Sequence, residues 1–249
     1  MRDELHELTA DLLALATDLA ARGVRADAPP VAPPEQEGAW ARLARTTRSE
    51  PVTGAGGMEA VRLALGDCRR CPLCERRRSI VFGVGDPNAD LVVIGEGPGE
   101  QEDRRGEPFV GPAGEMLDKM LVHVLGLSRA EVYITNVVKC RPPGNRNPKP
   151  PELAACRPFL DDQLAALRPK LGLVLGSVAL KALFSTSDGI MRARGRWRDW
   201  EGPDGQVIPM LPTFHPAYLL RQPGEKRKTF DDLKELRRRY DAEGGARRG

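Results

Sequence analysis

Leu91-Val92-Val93-Ile94 is an unbroken apolar run, three of its four residues β-branched, and it passes directly into Gly95-Glu96-Gly97-Pro98-Gly99-Glu100-Gln101-Glu102-Asp103. A short run of this kind bounded by turn residues is the pattern of a strand buried on both faces. Residues 132–138 and 171–175 are likewise short, largely apolar runs. Between and after these runs the apolar residues recur at helical spacing, over residues 113–125 and 151–167 and again beyond Ser177. Strands alternating with helices place the chain in the α/β class, with a mainly parallel sheet covered on both sides. Ligands on such sheets collect at the carboxyl ends of the strands, which directs attention to residues 95–102, 136–150 and 213–220.

Outward from that centre the chain changes character. Residues 3–22 place Leu5, Leu8, Leu12, Leu15 and Leu19 at spacings of three and four, the period of an amphipathic helix. Residues 23–57 are rich in Ala, Pro, Gly and Glu, with Pro29, Pro30, Pro33 and Pro34 imposing extended conformations, and read as a linker. The organisation expected is a helix over 1–22, a linker over 23–57 and one domain over 58–249. A handle for a protein partner, a self-association element and a helix packed back on the core all fit residues 1–22.

Within 249 residues no stretch approaches the roughly 20 apolar residues of a membrane span. The first residues, Met1-Arg2-Asp3-Glu4-Leu5-His6-Glu7, lack the regions of a secretory signal. A cytoplasmic protein with a monomeric core and no membrane partner is expected. Basic residues exceed acidic ones only by 38 to 35, so total charge says little about a polyanionic partner. Their clustering over residues 69–78, 139–149 and 226–239 says more, although a solvated surface would look the same.

Five cysteines stand at positions 68, 71, 74, 140 and 156. Disulfides are disfavoured in the cytoplasm, and Cys68-x2-Cys71 and Cys71-x2-Cys74 have metal-ligand spacing. Four thiolates suit zinc or an iron-sulfur cluster equally, and spacing does not choose between them or exclude inert buried thiols.

The loop after the first strand has three glycines in five residues, but no Gly-Lys-Ser/Thr follows and the dinucleotide spacing is absent. Taken with Arg105-Gly106-Glu107-Pro108-Phe109-Val110-Gly111, Tyr133-Ile134-Thr135-Asn136-Val137-Val138-Lys139-Cys140-Arg141-Pro142-Pro143 and His215-Pro216-Ala217-Tyr218-Leu219-Leu220, it resembles the family 4 uracil-DNA glycosylases. The resemblance runs from about residue 67 to residue 240, with the motifs in order. It implies a three-layer α/β/α sandwich, in agreement with the strand reading, and an activity that hydrolyses the N-glycosidic bond of deoxyuridine in single- or double-stranded DNA.

Site residues follow from it position by position. Cys68, Cys71, Cys140 and Cys156 are implied as ligands of a 4Fe-4S cluster, leaving Cys74 unused. Asn136 is implied to read uracil, its amide accepting from N3–H and donating to O4, a pattern cytosine reverses. Phe109 is implied to stack on the extruded base, His215 to donate to uracil O2, and Glu96 and Gly97 to lie against the substrate. Pro216 to Arg221 resemble a DNA-intercalating segment, with Tyr218, Leu219 and Leu220 as apolar wedges and Arg221 on phosphate.

Two matters stay open. The best-studied uracil glycosylases carry an aspartate where this chain has Gly97, which leaves Glu96 and Glu102 as the available carboxylates; Glu96 is expected closest to the base, whether it orients water, stabilises the sugar cation or acts through its backbone. They also carry a tyrosine that blocks the thymine methyl where this chain has Gly99, and Glu102 is the expected replacement. One branch of similar proteins captures uracil covalently through a histidine in the loop after the third cysteine ligand, and because residues 141–151 hold no histidine the resemblance implies ordinary turnover. A non-catalytic binding module on the same fold and a zinc-stapled DNA-binding protein are the competing readings.

Overall fold

The computed structural model describes residues 57–245. The helix expected over 1–22 and the linker expected over 23–57 lie outside this span, except for Gly57, which opens the first helix. Six strands form one sheet in the order β1-β3-β2-β4-β6-β5. These are β1 (Val84–Gly85), β2 (Leu91–Gly95), β3 (Tyr133–Asn136), β4 (Leu171–Leu175), β5 (Arg198–Glu201) and β6 (Val207–Thr213). The four central strands are parallel, and β1 and β5 pair antiparallel at the two edges. The helices are α1 (Gly57–Leu65), α2 (Glu100–Arg105), α3 (Pro112–Met120), α4 (Pro150–Leu167), α5 (Gly176–Phe184), α6 (Ile190–Ala193), α7 (Pro216–Arg221) and α8 (Lys226–Ala242).

Alternation along the strands explains the layers. Val92 and Ile94 of β2 pack on one side with Leu160 and Leu164 of α4 and Leu180 of α5. Leu91 and Val93 pack on the other with Leu117 of α3 and Leu233 and Leu236 of α8. Successive side chains of a strand face opposite ways, so a strand with no polar residue needs helices on both sides. The helix expected over 113–125 divides in two: α3 ends at Met120 and a single π-turn, Leu121–Leu125, carries the chain to Gly126 in the left-handed region.

Chain direction sets the site. From β2 the chain steps to β3 on one side, then crosses to β4 on the other side of β2 and on to β6. The carboxyl ends of β2 and its neighbours therefore open a crevice where successive connections diverge, the usual ligand position on such a sheet. Asn136 ends β3 opposite Gly95 of β2, and His215 follows β6 by two residues. Among the described residues no helix is long and apolar enough to cross a membrane.

Candidate active site

A cleft of about 400 Å³ lies at these strand ends, lined by Glu96, Gly97, Phe109, Asn136, His215 and Arg221 among others. Gly95 permits its central contact. A Cβ there would fall 2.5 Å from both Asn136 Oδ1 and Phe109 Cζ, so only glycine lets the buried amide and the ring meet behind the strand end. Gly97 is also spatially constrained, because a Cβ on it would stand 2.7 Å from Val138 Cγ2. An aspartate has no room there unless Val138 gives way.

Phe109 adopts φ 55°, a backbone conformation rare for a bulky residue and costing on the order of 1 to 3 kcal/mol. Its neighbours hold it in place. Arg129 donates to Phe109 O at 3.1 Å and to Pro108 O at 2.7 Å while pairing with Asp118 at 2.9 Å. From the other side Glu102 Oε1 accepts from the amides of Val110 and Gly111 at 2.9 and 3.0 Å, and Oε2 accepts from Gly99 at 3.1 Å. One carboxylate thus ties the glycine loop to the Phe109 turn. A Cβ on Gly99 would meet Glu102 Oε2 at 2.8 Å, so Glu102 occupies the space a side chain at position 99 would need.

The Phe109 ring stacks on His215, centroids 5.6 Å apart and 29° from parallel. His215 caps α7, its Nδ1 accepting from the amide of Ala217 at 3.2 Å. That bond leaves the proton of a neutral ring on Nε2. Desolvation, with Arg221 nearby and partly offset by Glu102, pulls its pKa from the ordinary 6.5 to about 4. Glu96 differs from Glu102: its half-buried carboxylate has no hydrogen-bond partner among the described residues, and desolvation raises its pKa.

The segment after His215 needs a correction. Leu219, expected as a DNA wedge, is 1% exposed in the core, because α7 is amphipathic and turns this side chain inward. Tyr218 leans on Phe214 with centroids 5.0 Å apart and lines the cleft, while Leu220 stands 42% exposed. Of the three, Leu220 is the free apolar side chain.

Behind the cleft, Cys68, Cys71, Cys140 and Cys156 line one hollow together with Leu65, Leu73, Val138 and Arg77, and Cys74 is not part of it. No group of three or more His, Cys, Asp or Glu among the described residues is gathered as ligands for a single metal ion. Arg70 and Arg77 each place a guanidinium nitrogen 3.5 Å from the sulfurs of Cys68 and Cys140 respectively. Burial pushes the Cys140 and Cys156 thiols up to about 11 and 12, so thiolates there need a cationic group to offset their desolvation. A set of sulfur donors with N–H groups directed at them fits a thiolate-bound metal group in chemistry and in membership.

The hollow and the cleft are mechanically joined. Arg146 of the cleft wall grips buried Glu152, which lines the hollow, through bonds of 2.8 and 2.6 Å. Lys139, fully buried beside Cys140, donates to Asn136 O at 2.8 Å, Thr135 Oγ1 at 2.7 Å and Gln163 Oε1 at 2.5 Å. Arg129 does not stand out in the sequence, since a single basic residue in a loop gives no local signal, and Lys139 stands out there only as the first of a basic cluster, with no hint of its buried partners.

Known proteins place this arrangement. The profile of the Uracil DNA glycosylase superfamily matches residues 82–236. Type-4 uracil-DNA glycosylases of Sulfurisphaera tokodaii and Thermotoga maritima are 40% and 41% identical over 184 and 190 residues, which is 72% and 75% of this chain and 83% and 96% of theirs. That of Archaeoglobus fulgidus is 40% identical over 173 residues, 68% of this chain and 86% of its own. This chain therefore belongs to the uracil-DNA glycosylase superfamily, in its type-4 group.

Proposed function

We propose that this protein is a monofunctional uracil-DNA glycosylase, an enzyme of base-excision repair that releases free uracil from DNA and leaves an abasic site. The observation that carries the reading is the convergence of Asn136, Phe109 and His215 from three separate connections into one cleft. The nucleotide must leave the stack to reach it, at a cost of a few kcal/mol that is smallest for mispaired or single-stranded uracil. Phe109 takes one face of the base. The Asn136 amide accepts from N3–H and donates to O4, and cytosine leaves both groups unpaired at about 1 to 3 kcal/mol each.

As the C1′–N1 bond breaks, its electron pair passes into the base and charge collects on O2. A neutral imidazole donating from Nε2 is suited to that oxygen, and the bond strengthens as the charge develops. Water supplies the oxygen that joins C1′. Glu96, unpartnered in the cleft, is the group that in its carboxylate form stabilises the cationic sugar and orients this water. Glu102 has three amide donors to satisfy, which suits it to holding the wall that excludes the thymine methyl rather than to proton transfer. No lysine lines the cleft among the described residues, which favours hydrolysis without strand cleavage.

Cys68, Cys71, Cys140 and Cys156 would hold a 4Fe-4S cluster, whose part is structural because glycosidic hydrolysis transfers no electrons. These residues anchor the loop between Cys140 and Cys156, and with it Arg146, against the cleft. Leu220 and Arg221 are the groups assigned to the DNA, in single- or double-stranded form. We place the enzyme in the cytoplasm, where its free thiols stay reduced, with a monomeric core and residues 1–22 available to a protein partner.

The test is incubation with a uracil-containing oligonucleotide, with and without borohydride. Free uracil with an intact abasic strand and no trapped protein–DNA adduct is expected. A trapped adduct means lyase chemistry, and tight binding without uracil release means a binding module. Iron and acid-labile sulfide in the isolated protein support the cluster, whereas stoichiometric zinc without iron removes it.

A further inference from the structure

The exposed face of α8 carries a feature the chemistry above does not use. Phe230 is 46% exposed and lines a hollow with Lys226, Arg227, Asp231 and Lys234. Lys226, Phe230 and Lys234 are spaced four apart and so share one stripe of the helix, away from the buried Leu233, Leu236 and Tyr240. The Lys234 ammonium lies 5.6 Å from the Phe230 ring centroid. Lys228 is neutralised by Glu225 at 3.0 Å, and Asp231 is the one acidic side chain in the hollow. Lys226 and Arg227 have no ion-pair partner among the described residues. An exposed phenylalanine among three cations and one carboxylate has no role in packing this helix.

Its position is informative. Asp232, on the buried side of the same turn, accepts from Thr213 Oγ1 at 2.6 Å and from Arg194 Nε at 3.0 Å. Thr213 ends β6, two residues before His215. The first turns of α8 are therefore fixed at the same end of the sheet as the cleft, and α7 with Arg221 leads directly into them.

We infer that Lys226, Arg227, Phe230 and Lys234 form a second DNA contact, which holds a single-stranded stretch flanking the uracil by pairing phosphates with the cations and stacking one base on Phe230. Surfaces that track single strands combine these two elements, cations for the backbone and an aromatic face for any base. The inference rests on the DNA-repair reading above and adds to it a subsite outside the cleft.

Fluorescein-labelled oligothymidylates of about 4 and about 16 nucleotides, spanning the usual range of single-strand site sizes, separate the two claims because they contain no uracil. Binding is followed by anisotropy on the full chain. Phe230→Ala and Phe230→Leu should weaken binding of the longer oligomer about tenfold, the scale of one lost stacked base, while Phe230→Tyr restores it. The shorter oligomer should bind every form more weakly, with the same order among the variants. The double variant Lys226→Ala/Arg227→Ala should flatten the slope of log K against log salt by about 1.4, as expected for two phosphate contacts on a single strand.

Equal affinity of Phe230→Leu and Phe230→Tyr overturns the stacking, even if the salt slope changes. A wild-type dimer that Phe230→Ala dissolves reassigns the face to a second copy of the chain. Uracil release, measured separately on a uracil oligonucleotide, decides the glycosylase reading independently: its loss in wild type leaves the binding comparison intact, and a failed comparison leaves the activity standing.

Discussion

Phe109 and His215 stack 5.6 Å apart although they are 106 positions distant in the chain (215 − 109) and enter the cleft from connections after different strands. The rings proposed to stack on the base and to donate to its oxyanion therefore support one another before any substrate arrives. Such preorganisation lowers the reorganisation needed as charge develops. Exchanging His215 for Ala should lower kcat by about 10² to 10³, the usual effect of removing one such donor. Single-turnover rates at saturating DNA measure this, and a change confined to DNA affinity would assign His215 to binding.

The acid side of the pH profile separates two groups. His215 is held neutral down to about 4, whereas Glu96 is raised above its ordinary 4.5. As pH falls, Glu96 should lose its charge first, so the acid limb of kcat/KM lies above 4.5, and in Glu96→Gln the weakened activity should persist to lower pH. For stability the sign is fixed by the depressed pKa of His215. The folded state binds fewer protons than the unfolded one between about 4 and 6.5, so this contribution is full above that window and lost as pH falls through it. An unchanged limb near 6.5 in both proteins would contradict the neutral imidazole.

Arg129 is not among the residues lining the cleft, yet it holds the carbonyls of Pro108 and of the strained Phe109. Arg129→Met should cost about 1.5 to 3 kcal/mol, the scale of hydrogen bonds to a charged group. It should also raise KM, because Phe109 is free to relax from φ 55°. Urea unfolding and steady-state kinetics on the same samples check both. A stability loss with unchanged KM limits Arg129 to the scaffold.

Asn136→Asp tests base selection. An ionised carboxylate only accepts and cannot donate to O4, and a protonated one can turn its O–H toward cytosine N3 as readily as toward uracil O4, so the preference for uracil over cytosine should narrow. Rates on matched oligonucleotides with one uracil or one exposed cytosine give the ratio, and an unchanged ratio removes Asn136 as the reader.

Much of this was legible in the sequence for definite reasons. Leu91–Gly95 and Leu171–Leu175 stand out because strands buried on both faces carry no polar residue. The edge strands β1 and β5 do not: Val84–Gly85 is two residues long, and Arg198-Asp199-Trp200-Glu201 buries only Trp200, so neither leaves an apolar signature. The cleft was reachable through motif resemblance, which brought out Asn136, Phe109 and His215. Motif position does not show which face of α7 turns inward, which is why the resemblance places Leu219 on DNA although it packs in the core. The roles of Arg129 and Lys139 are not legible because they lie wholly in partners brought near by folding.

The central claim is that this cleft removes uracil and refuses thymine. Labelled duplexes carrying one U opposite G, one U opposite A or one T opposite G, treated with the purified protein and then with alkali, address it directly. Alkali-dependent cleavage at both uracils and none at thymine is the predicted result. Intact strands in all three duplexes, from cluster-loaded protein that still binds them, would contradict it.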